Sequence, residues 1–440
     1  MERSWHRLYE IIMESNKRSQ NNHIRIIAAL VILLMIFADF ASVPAYAQDE
    51  PEPDVISCIV VNDTRDMVLF EKDADKQVYP ASTTKVLMAL VVASSIESGS
   101  YSLDDTFAAY DGLYYDIPWD GSTENIQAGE VMTVRDYLHC ALLSSANEAC
   151  NALAAFDSGS TDKFVSKMNA KAKELGCENS HFADTHGIYR DDHYTTARDM
   201  YKIFRAVMDD PIAGSICSTL EYTVPETNKS DERELTNTNL LLHSDMPMYY
   251  EYAIGGKTGF TEEAGTCLVS AAEKDGDRLI CIIMGADFTE SEDGIYYPAS
   301  FGEARGLYEW CYSEYGDQPV ISSEDVINSL TVKNGKDAET VDIVPADDVF
   351  RYMKRSDAEN YITYEVELDK NELRAPVKAG EKVGEITAVY NGEIIGTSKL
   401  TAASDIELSL SKLISGSILV RMVIVLVLLV LAVIVRKKIK

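Results

Sequence analysis

Pro80-Ala81-Ser82-Thr83-Thr84-Lys85 sets a serine and a lysine three positions apart, a spacing that puts both on one helix face within reach of each other. A serine hydroxyl is a poor nucleophile until a base removes its proton. A lysine can be that base when burial or nearby cations lower its pKa. Alone, the tetrapeptide also fits a Ser/Thr helix start with an exposed lysine. Two further groups stand downstream: Ser145 and Asn147, as S-x-N in Leu142-Leu143-Ser144-Ser145-Ala146-Asn147, and Lys257-Thr258-Gly259 after two glycines. His181, His186 and His193 with Asp184, Asp191 and Asp192 suggest a metal cluster, but H-x4-H-x6-H matches no compact zinc motif. No metal or cofactor is therefore expected.

The elements that must position these residues are legible in outline. Cys58 to Val61 and Met67 to Phe70 flank Asn62-Asp63-Thr64-Arg65-Asp66 as a β-hairpin. A helical pattern begins near Ser82. Thr133-Val134-Arg135-Asp136 and Thr196-Ala197-Arg198-Asp199 have capping-box spacing before apolar residues at helical intervals, so a helix is expected after each. Thr266 to Ala272 and Arg278 to Ala286 read as strands joined at Lys274-Asp275-Gly276-Asp277. Strands at both ends with helices between them predict an α+β domain whose first and last strands share a sheet. Beyond Trp310, Tyr361 to Leu368 alternates strictly, and Val383 to Tyr390 meets Glu393 to Leu400 across Asn391-Gly392, a type I′ hairpin signal. This predicts a small all-β domain after a boundary near Asp317.

The three motifs stand in the order S-x-x-K, S-x-N, K-T-G. With Val68 to Asp75, Thr133 to Leu138, Lys257 to Gly265 and Ala375 to Gly384, they resemble the D-alanyl-D-alanine carboxypeptidases of the low-molecular-weight penicillin-binding proteins over roughly 55–405. The resemblance implies a β-lactamase/transpeptidase-like catalytic domain. It also implies a penicillin-sensitive serine enzyme that removes the terminal D-alanine of peptidoglycan stem pentapeptides, with β-lactams as acylating inhibitors. Ser82 is then the acylated residue. Lys85 takes its proton, held neutral by Lys257 and burial, and Ser145 relays a proton to the leaving nitrogen. Asn147 orients Lys85 and the substrate amide, while Lys257 and Thr258 meet the terminal carboxylate. Gly259 lets the substrate lie along the strand edge, and the N–H groups of Ser82 and Phe260 form the oxyanion hole. His186 either assists deacylation or is a structural loop histidine. Two departures stand out: Phe260 replaces a histidine found in some members, and Ser300, ten residues before Trp310, stands about where some members have an arginine, so that second carboxylate-binding cation is not matched there.

Three alternatives use the same residues differently. A DD-endopeptidase would share the whole machinery. A β-lactamase needs a deacylating carboxylate, commonly in E-x-x-L-N, and Glu232 to Asn237 is one residue too long. A non-catalytic β-lactam- or wall-binding protein is the reading from another class.

The 440 residues suggest two or three domains, and the net charge of −31 is unevenly spread. Residues 1–47 carry +1 and 412–440 carry +6, leaving −38 for the body, which repels phosphate backbones and excludes nucleic acid as a partner. The apolar run Ile26 to Ala38 before Ala45-Tyr46-Ala47 reads as a secretory signal over 1–47. At the other end Ile418 to Val435 is apolar except for Arg421, about 27 Å of helix. The expected order is thus a catalytic domain over 48–317, a β-rich stalk over 318–405, a transmembrane helix over 413–435 held in lipid, and a cytoplasmic tail over 436–440. The catalytic body is expected on the extracytoplasmic face of the cell membrane. Eight cysteines without C-x-x-C pairs read mostly as core thiols.

Overall fold

The structure, a computed structural model, describes residues 50–290, 294–416 and 418–438. The expected signal sequence lies outside the described residues. Strands β1 (Val55–Asn62) and β2 (Met67–Lys72) form a hairpin, and β3 (Ala253–Thr261), β4 (Gly265–Lys274) and β5 (Asp277–Ala286) follow about 180 residues later. They make one antiparallel sheet in the order β2-β1-β5-β4-β3, with Val60 opposite Cys281 and Lys257 opposite Val269. Two cores take alternate residues of the central strand. Ile280, Ile282 and Met284 face the larger cluster, and Leu279, Cys281 and Ile283 face a second one. Because both faces are covered, β5 reads as a continuous apolar run instead of alternating.

The larger cluster is roofed by helices α1 (Thr84–Glu97), α2 (Val134–Leu142), α3 (Asn147–Ser158), α4 (Thr161–Glu174) and α5 (Ala197–Asp209). Helix α1 is buried on every side from Thr84 to Ala93, so it is the axle of the helical layer. Truncating one of its fully buried leucines, such as Leu87, would cost roughly 2–5 kcal/mol through lost transfer energy and a cavity. Thr133 caps α2 reciprocally with Asp136, and Thr196 caps α5 by accepting from the Asp199 N–H. On the opposite face α6 (Ala299–Glu314) buries Phe301, Leu307, Tyr308 and Trp310 against the sheet.

Helix α6 runs straight into β6 (Tyr315–Ile321), which pairs with β7 (Val349–Lys354). A six-stranded sheet follows, centred on the hairpin β8 (Lys382–Tyr390) and β9 (Glu393–Ala402), with positive φ at Asn391 and Gly392 as a type I′ turn requires. Its own core gathers Val320, Ile343, Ile386 and Leu400. Tyr352 stacks on Tyr315, Arg65 lies over Tyr352 at 4.2 Å, and Lys354 lies over Trp310 at 4.9 Å.

The transmembrane part of the expected fold needs correction. Among the described residues no helix is long and apolar enough to cross a membrane. The last helix, Ile418–Lys438, carries Arg421 inside its first turns and Arg436 near its end. The fourteen uncharged residues between them rise about 21 Å, short of the ~30 Å hydrocarbon core. The anchoring in lipid and the single-pass placement inferred from 413–435 lose their support with it.

Candidate active site

The turn before α1 is built against the ordinary preferences of the backbone. Ala81 sits at φ +47°, an uncommon conformation for a residue with a side chain. Ala81–Thr83 forms a 3-10 turn, closed by the Thr83 hydroxyl donating to the Pro80 carbonyl at 2.6 Å. Gly187, at φ +92°, presses on this turn from behind, and a Cβ there would lie 1.8 Å from the Ala81 carbonyl oxygen. Ser82 is thus held at the mouth of a cleft of about 780 Å³.

Lys85, one turn on, is completely buried. Its Nζ lies 2.7 Å from Ser82 Oγ, 2.7 Å from Asn147 Oδ1 and 2.9 Å from the His186 carbonyl oxygen. As an ammonium it donates to all three. As a neutral amine it can donate to Asn147 and His186 and turn its lone pair to the Ser82 hydroxyl. Burial pushes its pKa from 10.5 down to about 8, against the opposing influence of Cys150, Asp184 and Glu148.

Ser145 belongs to the loop between α2 and α3. It adopts φ +65° and lines the cleft. Asn147 opens α3, and its N–H donates to the Ser122 carbonyl at 2.9 Å, tying the S-x-N turn to the loop opposite. Lys257, Thr258, Gly259 and Phe260 lie on β3, the edge strand of the sheet, whose outer side pairs with no strand among the described residues. Gly259 comes so close to the nucleophile turn that a Cβ would be 2.9 Å from the Ser82 nitrogen. Lys257 is fully buried and donates to the Thr258 carbonyl at 2.9 Å. Burial, followed by the charge of Lys85, lowers its pKa to about 7. Two ammonium groups are thus disfavoured in the same apolar surroundings. Phe260 is half-exposed at the cleft and packs edge-on against Phe288.

The structure therefore brings Ser82, Lys85, Asn147 and the His186 carbonyl into direct contact and lines the same cleft with Ser145, Thr258, Gly259 and Phe260. His186 enters the site through its backbone. Its ring is 1% exposed and lies between Asp116 and Asp184, 3.3 Å from each, so only its carbonyl meets Lys85. Thr238, which sequence reasoning missed, meets Thr258 hydroxyl to hydroxyl at 2.6 Å. Nothing in Asn237-Thr238-Asn239 marks it, because the contact forms across 20 residues. Ser300, where an arginine is lacking, is buried in the first turn of α6 at the cleft wall. His181 stands apart, bound to the Asp192 carbonyl, whereas His186 and His193 share Asp184.

Comparison with known proteins places this geometry. The family pattern "D-alanyl-D-alanine carboxypeptidase" matches residues 45–288, and "Penicillin-binding protein 5, C-terminal domain" matches 315–408. D-alanyl-D-alanine carboxypeptidase DacF of Bacillus subtilis is 26% identical over 87% of this chain and 95% of its own length. DacB2 of Mycobacterium tuberculosis is 31% identical over 63% of this chain and 89% of its own. Among solved structures, penicillin-binding protein 5 of Haemophilus influenzae superposes with a TM-score of 0.57 at 24% identity, covering 82% of this chain and 99% of that one.

Proposed function

The chain belongs to the D-alanyl-D-alanine carboxypeptidase family, and from that premise we propose that Ser82 is its acylated nucleophile and Lys85 the base that activates it. The protein is a serine-type D-Ala-D-Ala carboxypeptidase, a hydrolase of the cell-wall enzymes. The single observation that carries the assignment is the 2.7 Å contact between a half-buried serine hydroxyl and a fully buried lysine whose pKa lies near 8.

The chemistry runs as follows. Neutral Lys85 accepts the Ser82 proton as Oγ attacks the carbonyl between the two terminal D-alanines of a stem peptide. The N–H groups of Ser82 and Phe260, brought together by the close approach of Gly259, stabilise the tetrahedral oxyanion. Ser145 passes a proton to the leaving nitrogen. The substrate backbone adds along the free edge of β3 and sets its terminal carboxylate against Lys257 and Thr258. An arriving carboxylate favours the charged form of Lys257, and that charge in turn disfavours the ammonium of Lys85, so substrate binding itself prepares the base. Water then hydrolyses the acyl-enzyme.

A β-lactam acylates the same serine and leaves slowly. Glu232, in the closest sequence match to the β-lactamase deacylating motif, is exposed and does not line the cleft, where the carboxylates are Asp120, Glu262 and Glu263. The expected site of action is the wall, outside the cytoplasm, with residues 48–317 catalytic and 318–405 a separate module. Incubating the chain with a muropeptide pentapeptide should release D-alanine. A labelled penicillin should leave its adduct on Ser82, and an adduct on Ser145, or none, would overturn the assignment.

A further inference from the structure

Behind the nucleophile turn, Asp184 is 4% exposed and sits where the 184–187 turn meets His193. Its Oδ1 accepts from the backbone N–H of His186 at 3.0 Å and of Gly187 at 2.6 Å, fixing the turn 184–187. That turn carries the carbonyl that receives Lys85 and the glycine that presses on Ala81. Its Oδ2 lies 3.3 Å from His193 Nδ1, and His193 Nε2 lies 3.0 Å from the hydroxyl of Thr84, the first residue of α1. One carboxylate thus reaches the nucleophile turn, the base and the helix that bears it by three separate routes.

We propose that Asp184 is a positioning residue for acyl transfer, holding the Ser82 turn, the start of α1 and the carbonyl acceptor of Lys85 as one rigid piece. The proposal rests on the reading of Lys85 as the base and adds a residue that never touches substrate. A buried Asp–His pair is often only packing, but this carboxylate also fixes the turn whose carbonyl receives Lys85. Burial works to raise the carboxyl of Asp184, but the neighbouring imidazoles of His193 and His186 and the Gly187 N–H hold it well below the usual carboxylate range. It is therefore an anion throughout the working pH range. The titratable groups that face Lys85 are Asp184, Glu148 and Cys150, all favouring its charged form, with Lys257 opposing them. Around Asp184 itself stand His186, His193 and Asp116. Removing the Asp184 charge should lower the pKa of Lys85, while loosening the turn slows the reaction.

Acylation of the full chain by a labelled penicillin, followed from pH 5 to 10, tests this. Asp184→Asn should cut the plateau rate by about 10- to 100-fold, the scale of a misplacement of roughly 1 Å, and should move the acidic limb to lower pH. Thr84→Val severs only the His193 route, so it should lower the rate with the limb in place. A folded Asp184→Asn whose acidic limb stays at the wild-type pH overturns the proposal. So does Thr84→Val at the wild-type rate, a result that decides the matter even if Asp184→Asn does not fold. A wild-type chain that takes no label at Ser82 would instead overturn the catalytic reading beneath it.

Discussion

At the scale of single residues the two lysines decide the working pH. An unperturbed lysine titrates near ~10.4 and would leave almost no base at neutral pH. Burial brings Lys85 to about 8, and Lys257 adds repulsion whenever both are protonated. In the free protein Lys257, at about 7, sheds its proton before Lys85, at about 8, so the competent pair arises when a bound carboxylate raises Lys257. Acylation by a carboxylate-bearing substrate should then rise as Lys85 becomes neutral and fall when Lys257 loses its proton. In Lys257→Gln that repulsion is gone, so the acidic limb should move above its wild-type pH, and KM for a carboxylate-ended peptide should rise. A limb that stays in place while the rate falls would mean that Lys257 acts through carboxylate contact alone. Lys85→Ala should slow acylation by about 10²–10⁴-fold, the usual contribution of a general base. The i, i+3 spacing of Ser82 and Lys85 was legible in the sequence because one helical turn brings them together. That the third ligand of Nζ is a carbonyl 101 residues away was not.

Elements set the distances between motifs. Helix α2 delivers the S-x-N loop, and its reciprocal cap joins Thr133 and Asp136. Thr133→Ala should cost about 1 kcal/mol, seen as a fall in Tm of about 2–4 °C for a body of this size, with kcat near normal because the S-x-N turn is tied separately through Asn147 and Ser122. Strand β3 sets the gap between the K-T-G residues and the nucleophile. Gly259→Ala places a methyl 2.9 Å from the Ser82 nitrogen, so the nucleophile turn must shift: acylation should drop by about 10²-fold and Tm should fall with it. A thermal-shift measurement beside the acylation assay checks both halves. Capping residues revealed α2 and α5 from sequence, since a cap is a contact across three positions. Strand β3 was less legible there, because Ala253-Ile254-Gly255-Gly256-Lys257-Thr258-Gly259 carries three glycines and no alternation, with only Ile254 and Thr258 as β-branched residues. It is a strand only because β4 offers it a partner.

Across the whole molecule the eight cysteines are buried and unpaired, and burial raises the thiols of Cys58, Cys150, Cys177, Cys217 and Cys267 to about 12. A thiol reagent should titrate none of them in the native protein and all eight after denaturation. Early reaction of any one would show that its surroundings open. The β-rich part after α6 contributes no cleft residue. A fragment covering 48–317 should turn over a small soluble D-Ala-D-Ala substrate near the full-length rate and act less on intact wall. Its Tm should be lower, because Trp310 and Tyr315 lose the cover of Lys354 and Tyr352. A folded fragment without turnover would contradict the separation of roles.

The sequence alone placed the starts of several helices and hairpins and put forward candidates for the chemistry, because nucleophile spacing, caps and type I′ turns are interactions between near neighbours in the chain. It also suggested a membrane span from an apolar run, a reading that Arg421 and the ~21 Å left beyond it do not sustain. The tertiary structure alone decided the rest. It put β1 beside β5 across about 220 residues, set the K-T-G strand at an open edge, and buried Lys85 deeply enough to lower its pKa. It also turned the His186 ring away from the cleft and gathered Asp184, His193 and Thr84 behind the nucleophile. Each of these depends on desolvation or on contacts between distant segments, energies that exist only once the chain has closed around its core.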